Sequence, residues 1–233
     1  MGMLALLYDV HGNSLGLDAV LEDAVAQGAS AYLIGGDVAL FGPWPEDTVA
    51  RLRELQPATW IRGNGERWTA HPQDAPELLR GATAAAREAL GDALVAEHDA
   101  LPESTPVGER TRAWHGSPVS DVRSFTPDPG DDEAELLAGV TEERLIFGHT
   151  HLPFARPATS GDVELVNPGS VGMPLDGDHR AAYALLHDDG QIEHRRVAYD
   201  HDAVPAALRE RYGDAAWLEP ILYRFTNARF EPT

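Results

Sequence analysis

Short apolar runs alternate with amphipathic stretches from the N-terminus to Arg62. Met3 to Tyr8 is apolar throughout, as a strand buried on both faces requires. Leu17, Val20, Leu21, Ala24 and Val25 then recur at helical spacing behind the capping residues Asn13 and Ser14. Ala31 to Ile34 predicts a second strand. Thr48, Val49, Leu52 and Leu55 share one face of a helix after the Pro-rich stretch Phe41 to Pro45, and Thr59 to Arg62 predicts a third strand. This strand, helix, strand, helix, strand order predicts parallel strand pairs with helices packed over them.

Pro76 to Ala100, rich in Ala, Leu, Glu and Arg, reads as one or two helices with a break at Gly91. Glu103 to Glu109 and Thr126 to Gly130 read as loops. From Arg144 the pattern becomes β: Leu145 to Phe147, Val163 to Val166, Ala181 to Leu186 and Ile192 to Val197 are strands, the last two joined by a turn at Asp188-Asp189-Gly190. Pro205 to Leu222 predicts a helical cover. These elements imply two sheets packed face to face with helices outside, and 233 residues at 43% hydrophobic content suffice for one sizeable core.

Charge and composition narrow the chemistry. Lys+Arg 18 against Asp+Glu 38 leaves a formal charge of −20, which repels a nucleic-acid backbone and makes a long duplex an unlikely partner. All the basic residues are Arg; the absence of Lys excludes Schiff-base catalysis and the lysine-bearing phosphate loop. The absence of Cys excludes disulfides, thiolate metal sites and cysteine nucleophiles. The apolar N-terminal run lacks a basic leader, and no segment approaches the ~18 uninterrupted apolar residues of a membrane span. A soluble cytoplasmic protein is therefore expected, with a homo-oligomer an open alternative.

Five polar clusters end apolar runs: Asp9-Val10-His11-Gly12-Asn13, Gly35-Gly36-Asp37, Gly63-Asn64-Gly65-Glu66, Trp114-His115-Gly116 and Gly148-His149-Thr150-His151. Ligands of parallel sheets gather at the carboxyl ends of the strands, where Asp9, Asp37 and Asn64 fall. In extended backbone, Asp9 and His11 point to the same side, as do His149 and His151. Two Asp, one Asn and four His form a set suited to two divalent cations sharing one carboxylate, with Mn, Fe, Co, Ni and Zn all compatible.

The order Asp-x-His, Gly-Asp, Gly-Asn, His-Gly, Gly-His-x-His resembles the calcineurin-like metallophosphoesterase superfamily. Asn167-Pro168-Gly169-Ser170-Val171-Gly172 looks like its small bacterial and archaeal phosphodiesterase branch, and the resemblance runs from residue 3 to about residue 200. It implies an α/β (α+β) fold, a four-layer αββα sandwich of two mixed β-sheets, as a single domain over residues 1–233. A helical insertion at about 67–100 and a helical cover at about 203–222 complete it. It further implies one metal on Asp9, His11 and His151 and another on Asn64, His115 and His149, with Asp37 bridging. Two such cations, Mn foremost, polarise a bridging water for in-line attack on a phosphoester, with Asp37 and Asn64 as catalytic groups.

The pattern departs from the family at Gly65, where many relatives carry a His held to protonate the leaving oxygen. Glu66 keeps the neighbouring acid, and Glu66, His71 or His98 are stand-in donors, although both His read better as surface residues. Asn13, Gly65 and Arg67 are the expected substrate contacts, Asn13 through a helix N-terminus that meets phosphate oxygens and Arg67 through its guanidinium. Arg62 reads as a surface ion-pairing residue, and Trp44, Trp60, Trp68 and Trp114 as core. Gly169 and Ser170 shape a turn, and His179, His187, His194 and His201 are structural or exposed. The leading expectation is a phosphodiesterase acting on a small molecule. The alternatives are a nuclease or nucleotide phosphatase using Trp68 as a base platform, and a metal-binding scaffold or regulator with little turnover.

Overall fold

The computed structural model describes residues 2–230. Its strands are β1 (Leu4–Leu7), β2 (Ala31–Ile34), β3 (Ala58–Trp60), β4 (Ser104–Pro106), β5 (Thr111–Trp114), β6 (Arg144–Ile146), β7 (Phe154–Pro157), β8 (Glu164–Asn167), β9 (Ala181–Leu186) and β10 (Ile192–Val197). They form two five-stranded mixed sheets, ordered β10-β9-β1-β2-β3 and β4-β5-β6-β8-β7. The pairs β1–β2, β2–β3, β5–β6 and β6–β8 are parallel, so the carboxyl ends of β1, β2 and β3 lie together, as do those of β5 and β6.

Alternation along β1 shows how the sheets stack. Ala5 and Leu7 pack with Leu17, Val20 and Val49 under the helices α1 (Ser14–Gln27) and α2 (Pro45–Arg53). Leu6 and Tyr8 point the other way, against Ala113, Ile146 and Val166 of the second sheet. A strand covered on both faces must be apolar at every position, which is why this one shows no polar alternation. The outer face of the second sheet carries Leu145, Phe147 and Leu165, closed by Phe125 and the four-residue helix α5 (Glu133–Leu136). This fourth layer is thin. A further helical cluster joins α3 (Asn64–Ala70), α4 (Arg80–Asp99), α6 (Ala203–Tyr212) and α7 (Leu218–Asn227) around Trp68, Ala86, Leu208 and Ile221.

Several elements differ from the sequence reading. Glu103 to Glu109 is not wholly loop: β4 pairs antiparallel with β5 and completes the sheet edge. The helical cover is two helices parted at Gly213, whose φ of 58° suits a residue without Cβ. Gly91, at φ 75°, breaks α4 where the sequence predicts it. Among the described residues no helix is long and apolar enough to cross a membrane.

The charge of −20 makes a prediction. Arg–carboxylate pairs such as Arg195–Asp23, at 2.6 Å, act well inside a screening length of about 10 Å at 0.1 M salt, whereas the net repulsion acts beyond it. Added KCl is expected to raise the melting temperature over roughly 0.05 to 1 M. A falling melting temperature across that range contradicts this balance.

Candidate metal centre

Each of the seven residues in the sequence-derived set lies shortly beyond the carboxyl end of a strand. Asp9 and His11 follow β1, Asp37 follows β2, Asn64 opens α3 after β3, His115 follows β5, and His149 and His151 follow β6. The side chains converge, but not through extended backbone. Asp9, His11, Asp37, His149 and His151 have φ of 53°, 49°, 52°, 68° and 59°, a left-handed conformation that costs L-residues about 1–2 kcal/mol each. The turns hold one another in it: His11 N–H donates to Asp37 O at 2.9 Å and Gly12 N–H to Val38 O at 2.8 Å. Glycine permits the close approach. A Cβ on Gly36 would stand 2.6 Å from the Gly63 nitrogen, and one on Gly148 would stand 2.5 Å from Asp9 Oδ2.

Three imidazoles are anchored from behind. Nδ1 of His11, His115 and His151 faces the carbonyl of Leu40 (2.9 Å), Gly35 (2.8 Å) and Met173 (2.6 Å). Donation from Nδ1–H fixes the tautomer and leaves each Nε2 lone pair pointing inward. Nε2 of His11 lies 3.1 Å from Nε2 of His151, and Asp9 Oδ1 lies 3.4 Å from the latter. The two oxygens of Asp37 face different partners: Oδ2 lies 3.9 Å from His11 Nε2 and Oδ1 lies 3.4 Å from His115 Nε2.

The donor set fits cations. Asp9, His11 and His151 form one buried group whose ligand atoms lie close enough to share an ion, and Asp9, Asp37 and His115 form another. Asp9 Oδ1 is buried with no hydrogen-bond partner among the described residues, the state of an oxygen that awaits a positive charge. The carboxamide of Asn64 points one atom at His115 Nε2 (3.0 Å), His149 Nδ1 (2.8 Å) and the Asp121 carbonyl (3.1 Å). With the nitrogen in that place the carboxamide donates to all three and its oxygen accepts from Gly65 N–H at 3.2 Å; to offer its oxygen to a cation the carboxamide turns over.

Electrostatics reflect the crowding. Burial lifts the Asp37 carboxyl to about 7 against the pull of His115, with the Glu66 and Asp9 carboxylates adding to the rise. Burial lowers His115, but the Asp37 and Asp9 carboxylates outweigh it and raise the imidazole to about 9. Burial also raises Asp9, yet the charges of His151, His115 and His11 hold it well below the usual carboxylate range. Burial pushes His11 down to about 3 and His149 to about 4. The carboxylates of Asp37 and Asp9 thus favour positive charge beside His115.

The surroundings correct several expectations. Asn13 is fully buried: its Oδ1 caps α1 through Gly16 N–H (3.1 Å), and its Nδ2 donates to Gly172 O (2.8 Å) and Tyr199 Oη (3.1 Å), so no polar atom is left for substrate. Gly65 N–H is spent on Asp37 Oδ1 at 2.6 Å. Arg67 grips Asp121 with two bonds of 2.6 and 2.8 Å and also reaches Asp74; it borders the centre as a paired cation. Trp68 is buried in the helical cluster, which removes the base platform of the nuclease alternative. His98, expected at the surface, is buried against Trp60, whereas His71 is exposed as expected.

Glu66, a stand-in donor in the sequence reading, has a different role in the structure. It is buried, and its carboxylate accepts N–H bonds from Asp37 (2.8 Å), Val38 (2.9 Å) and Gly63 (2.8 Å). It is a clamp that sets the Asp37 turn against the start of α3, not a proton donor. The signal was its place three residues into a helix behind Gly63, the reach-back position of a capping box. The Asn167–Gly172 motif plays a matching role. Ser170 Oγ donates to Asp9 O at 2.6 Å, and Asn167 Nδ2 donates to Gly148 O at 3.2 Å, tying the turns after β1 and β6 together.

Two outcomes follow. Glu66→Gln places an N–H₂ against backbone donors; the loss of one or two buried bonds is expected to cost about 1–3 kcal/mol, roughly 2–12 °C in melting temperature. A cation entering between Asp37 and His115 must displace protons held up to about 7 and about 9. Affinity is therefore expected to fall about tenfold per pH unit below about 9 and more steeply below about 7, with proton release in calorimetry using buffers of different ionisation enthalpy. Flat, buffer-independent binding contradicts this.

Comparison with known proteins agrees with the geometry. Residues 3–191 match the model of the calcineurin-like phosphoesterase superfamily domain. An uncharacterised protein of Methanocaldococcus jannaschii is 27% identical over 221 residues, covering 85% of this chain and 88% of its own. Phosphodiesterase YfcE of Escherichia coli K12 is 26% identical over 199 residues, 80% of this chain and 89% of its own. A metallophosphoesterase from Sphaerobacter thermophilus superposes with a TM-score of 0.78 at 25% identity, covering 97% of this chain and 98% of that one. With two mixed sheets, turns that gather metal-binding side chains, and a family match over most of its length, this chain belongs to the calcineurin-like phosphoesterase superfamily.

Proposed function

We propose that the chain is a metal-dependent phosphodiesterase that hydrolyses a small phosphodiester. The observation that carries this reading is the convergence of buried donor atoms, with Asp37 turning one oxygen to each half of the centre and Asp9 Oδ1 left without a hydrogen bond. In this reading Asp9, His11 and His151 hold one divalent cation, Asn64, His115 and His149 hold a second, and Asp37 serves both. When bound, two such cations lower the pKa of water and offset charge developing on the phosphoryl oxygens. The protein's own contribution is placement. Backbone carbonyls keep three imidazoles aimed inward, and Glu66 with Gly65 N–H holds the Asp37 carboxylate in its bridging pose.

Preference for diesters with good leaving groups rests on what surrounds the centre. Glu66 is engaged by three N–H groups, and Asp121 is held below the usual carboxylate range by the Arg67 guanidinium, although its burial acts upward. Neither is suited to protonate a departing alkoxide. Supplying an imidazole by Gly65→His is not a clean test, because a Cβ at that position stands 2.8 Å from Asp37 Oδ1.

The test is hydrolysis of bis(4-nitrophenyl) phosphate against a panel of divalent metals. We expect turnover that chelator abolishes, and slower cleavage of serine phosphate. Asp37→Asn is expected to lower kcat by at least about 10²-fold, at or beyond the roughly 10–100-fold loss typical of groups that only orient a ligand. Tight metal binding without turnover of any aryl diester selects the scaffold reading instead.

A further inference from the structure

We propose that the C-terminal helices α6 and α7 set the aim of His11 and His151, and so tune one half of the centre and not the other; the inference rests on the metal-dependent reading above. Both helices lie beyond residues 3–191, the span of the family match. The imidazole of His11 is held by the Leu40 carbonyl at 2.9 Å, and that of His151 by the Met173 carbonyl at 2.6 Å. The side chains of Leu40 and Met173 are both buried in the helical cluster, together with Val204 and Leu208 of α6 and Ile221 and Leu222 of α7. The third anchor is elsewhere. His115 is held by the Gly35 carbonyl at 2.8 Å, and Gly35 follows β2 and backs onto the Tyr8 ring between the sheets.

Polar contacts stitch each anchoring segment to a helix. Tyr212 Oη donates to Gly42 O at 3.1 Å, and Arg211 donates to Pro43 O at 3.1 Å and to the Glu46 carboxylate at 2.6 Å. The loop so held lies directly on the His11 turn: a Cβ on Gly42 would run into the His11 carbonyl, and Trp44 N–H donates to Gly12 O at 2.9 Å. Phe41 in this loop is buried at φ 83°, a conformation that a bulky residue keeps only where its surroundings impose it, and its ring lies 5.5 Å from that of His11. On the other side, Gly177 N–H donates to Ala228 O at 2.8 Å and His179 Nε2–H to Thr226 O at 3.0 Å, joining the chain after Met173 to the end of α7. Trp68 brings α3 into the same cluster, but Asn64 at its start is fixed separately, because Glu66 and Gly65 N–H tie that turn to Asp37. His11 and His151 belong with Asp9 to one ligand group. Rotation of either ring carries an Nε2 lone pair away from the ion they share, whereas His115 keeps its own anchor.

The experiment uses Tyr212→Phe and Leu208→Ala in the full chain, with Leu136→Ala on α5 as a control that opens a cavity in a different core cluster. In metal-free protein, hydrogen exchange of the imidazole Nδ1–H groups is followed by NMR. Exchange at His11 is expected to quicken about fivefold in Tyr212→Phe, as for one lost hydrogen bond. In Leu208→Ala both His11 and His151 are expected to quicken by at least as much, with His115 unchanged. Titration with Mn²⁺ is expected to show that Leu208→Ala weakens, by about tenfold, the binding step that His151→Ala abolishes, and leaves the other step in place. Leu136→Ala is expected to lower the melting temperature without moving any of these readouts. Equal changes at all three imidazoles, unchanged exchange at His11 in a folded Tyr212→Phe, or a Leu136→Ala effect equal to that of Leu208→Ala overturns the proposal. If Leu208→Ala does not fold, Tyr212→Phe decides. If Mn²⁺ binds nowhere, the metal-dependent reading fails, and the exchange rates alone decide this inference.

Discussion

Polar side chains crowded between two sheets are tolerable only where the structure holds them from behind, as it does His11, His115 and His151. That constraint organises the molecule. The carbonyls that hold His11, His115 and His151 come from Leu40, Gly35 and Met173, each on a turn that also carries or adjoins another member of the set. Glu66 does the same for the Asp37 turn, and Ser170 for the Asp9 turn. Ligand direction is thus set by backbone, and backbone by strand pairing. Moving one turn disturbs its neighbours, because the groups that hold it belong to them.

The place of the seven residues beyond strand ends was readable because each polar cluster closes an apolar run. Their local geometry was not. The two-residue spacing of Asp9 and His11 suggests extended backbone, but close packing of neighbouring turns imposes left-handed φ, a tertiary effect with no local signature beyond nearby glycines. β9 and β10 were read at their observed limits because apolar alternation and an Asp-Asp-Gly turn coincide there. β5 and β7 were missed because four residues that include Arg112, or Arg156 and Pro157, are too short and polar to show a period. The burial of His98 had a signal in Val95 one turn earlier on the same face of α4. Asn13 was misread because a capping residue and an anion-binding loop look alike until the helix start is seen to be buried.

The absence of a side chain at Gly65 leaves no imidazole there, and it lets the Asp37 carboxylate rest on the Gly65 N–H at 2.6 Å, where a Cβ would stand 2.8 Å from Asp37 Oδ1. The neighbouring Arg67–Asp121 pair fixes the wall next to Asn64.

The left-handed turns also bear on how long the folded chain survives. Five strained, desolvated side chains lower the stability of the metal-free form, and any cation they capture restores it by mass action, about 2.7 kcal/mol at a free concentration one hundred times its dissociation constant. In the metal-dependent reading, proteolytic lifetime, and with it cellular abundance, would then track metal supply.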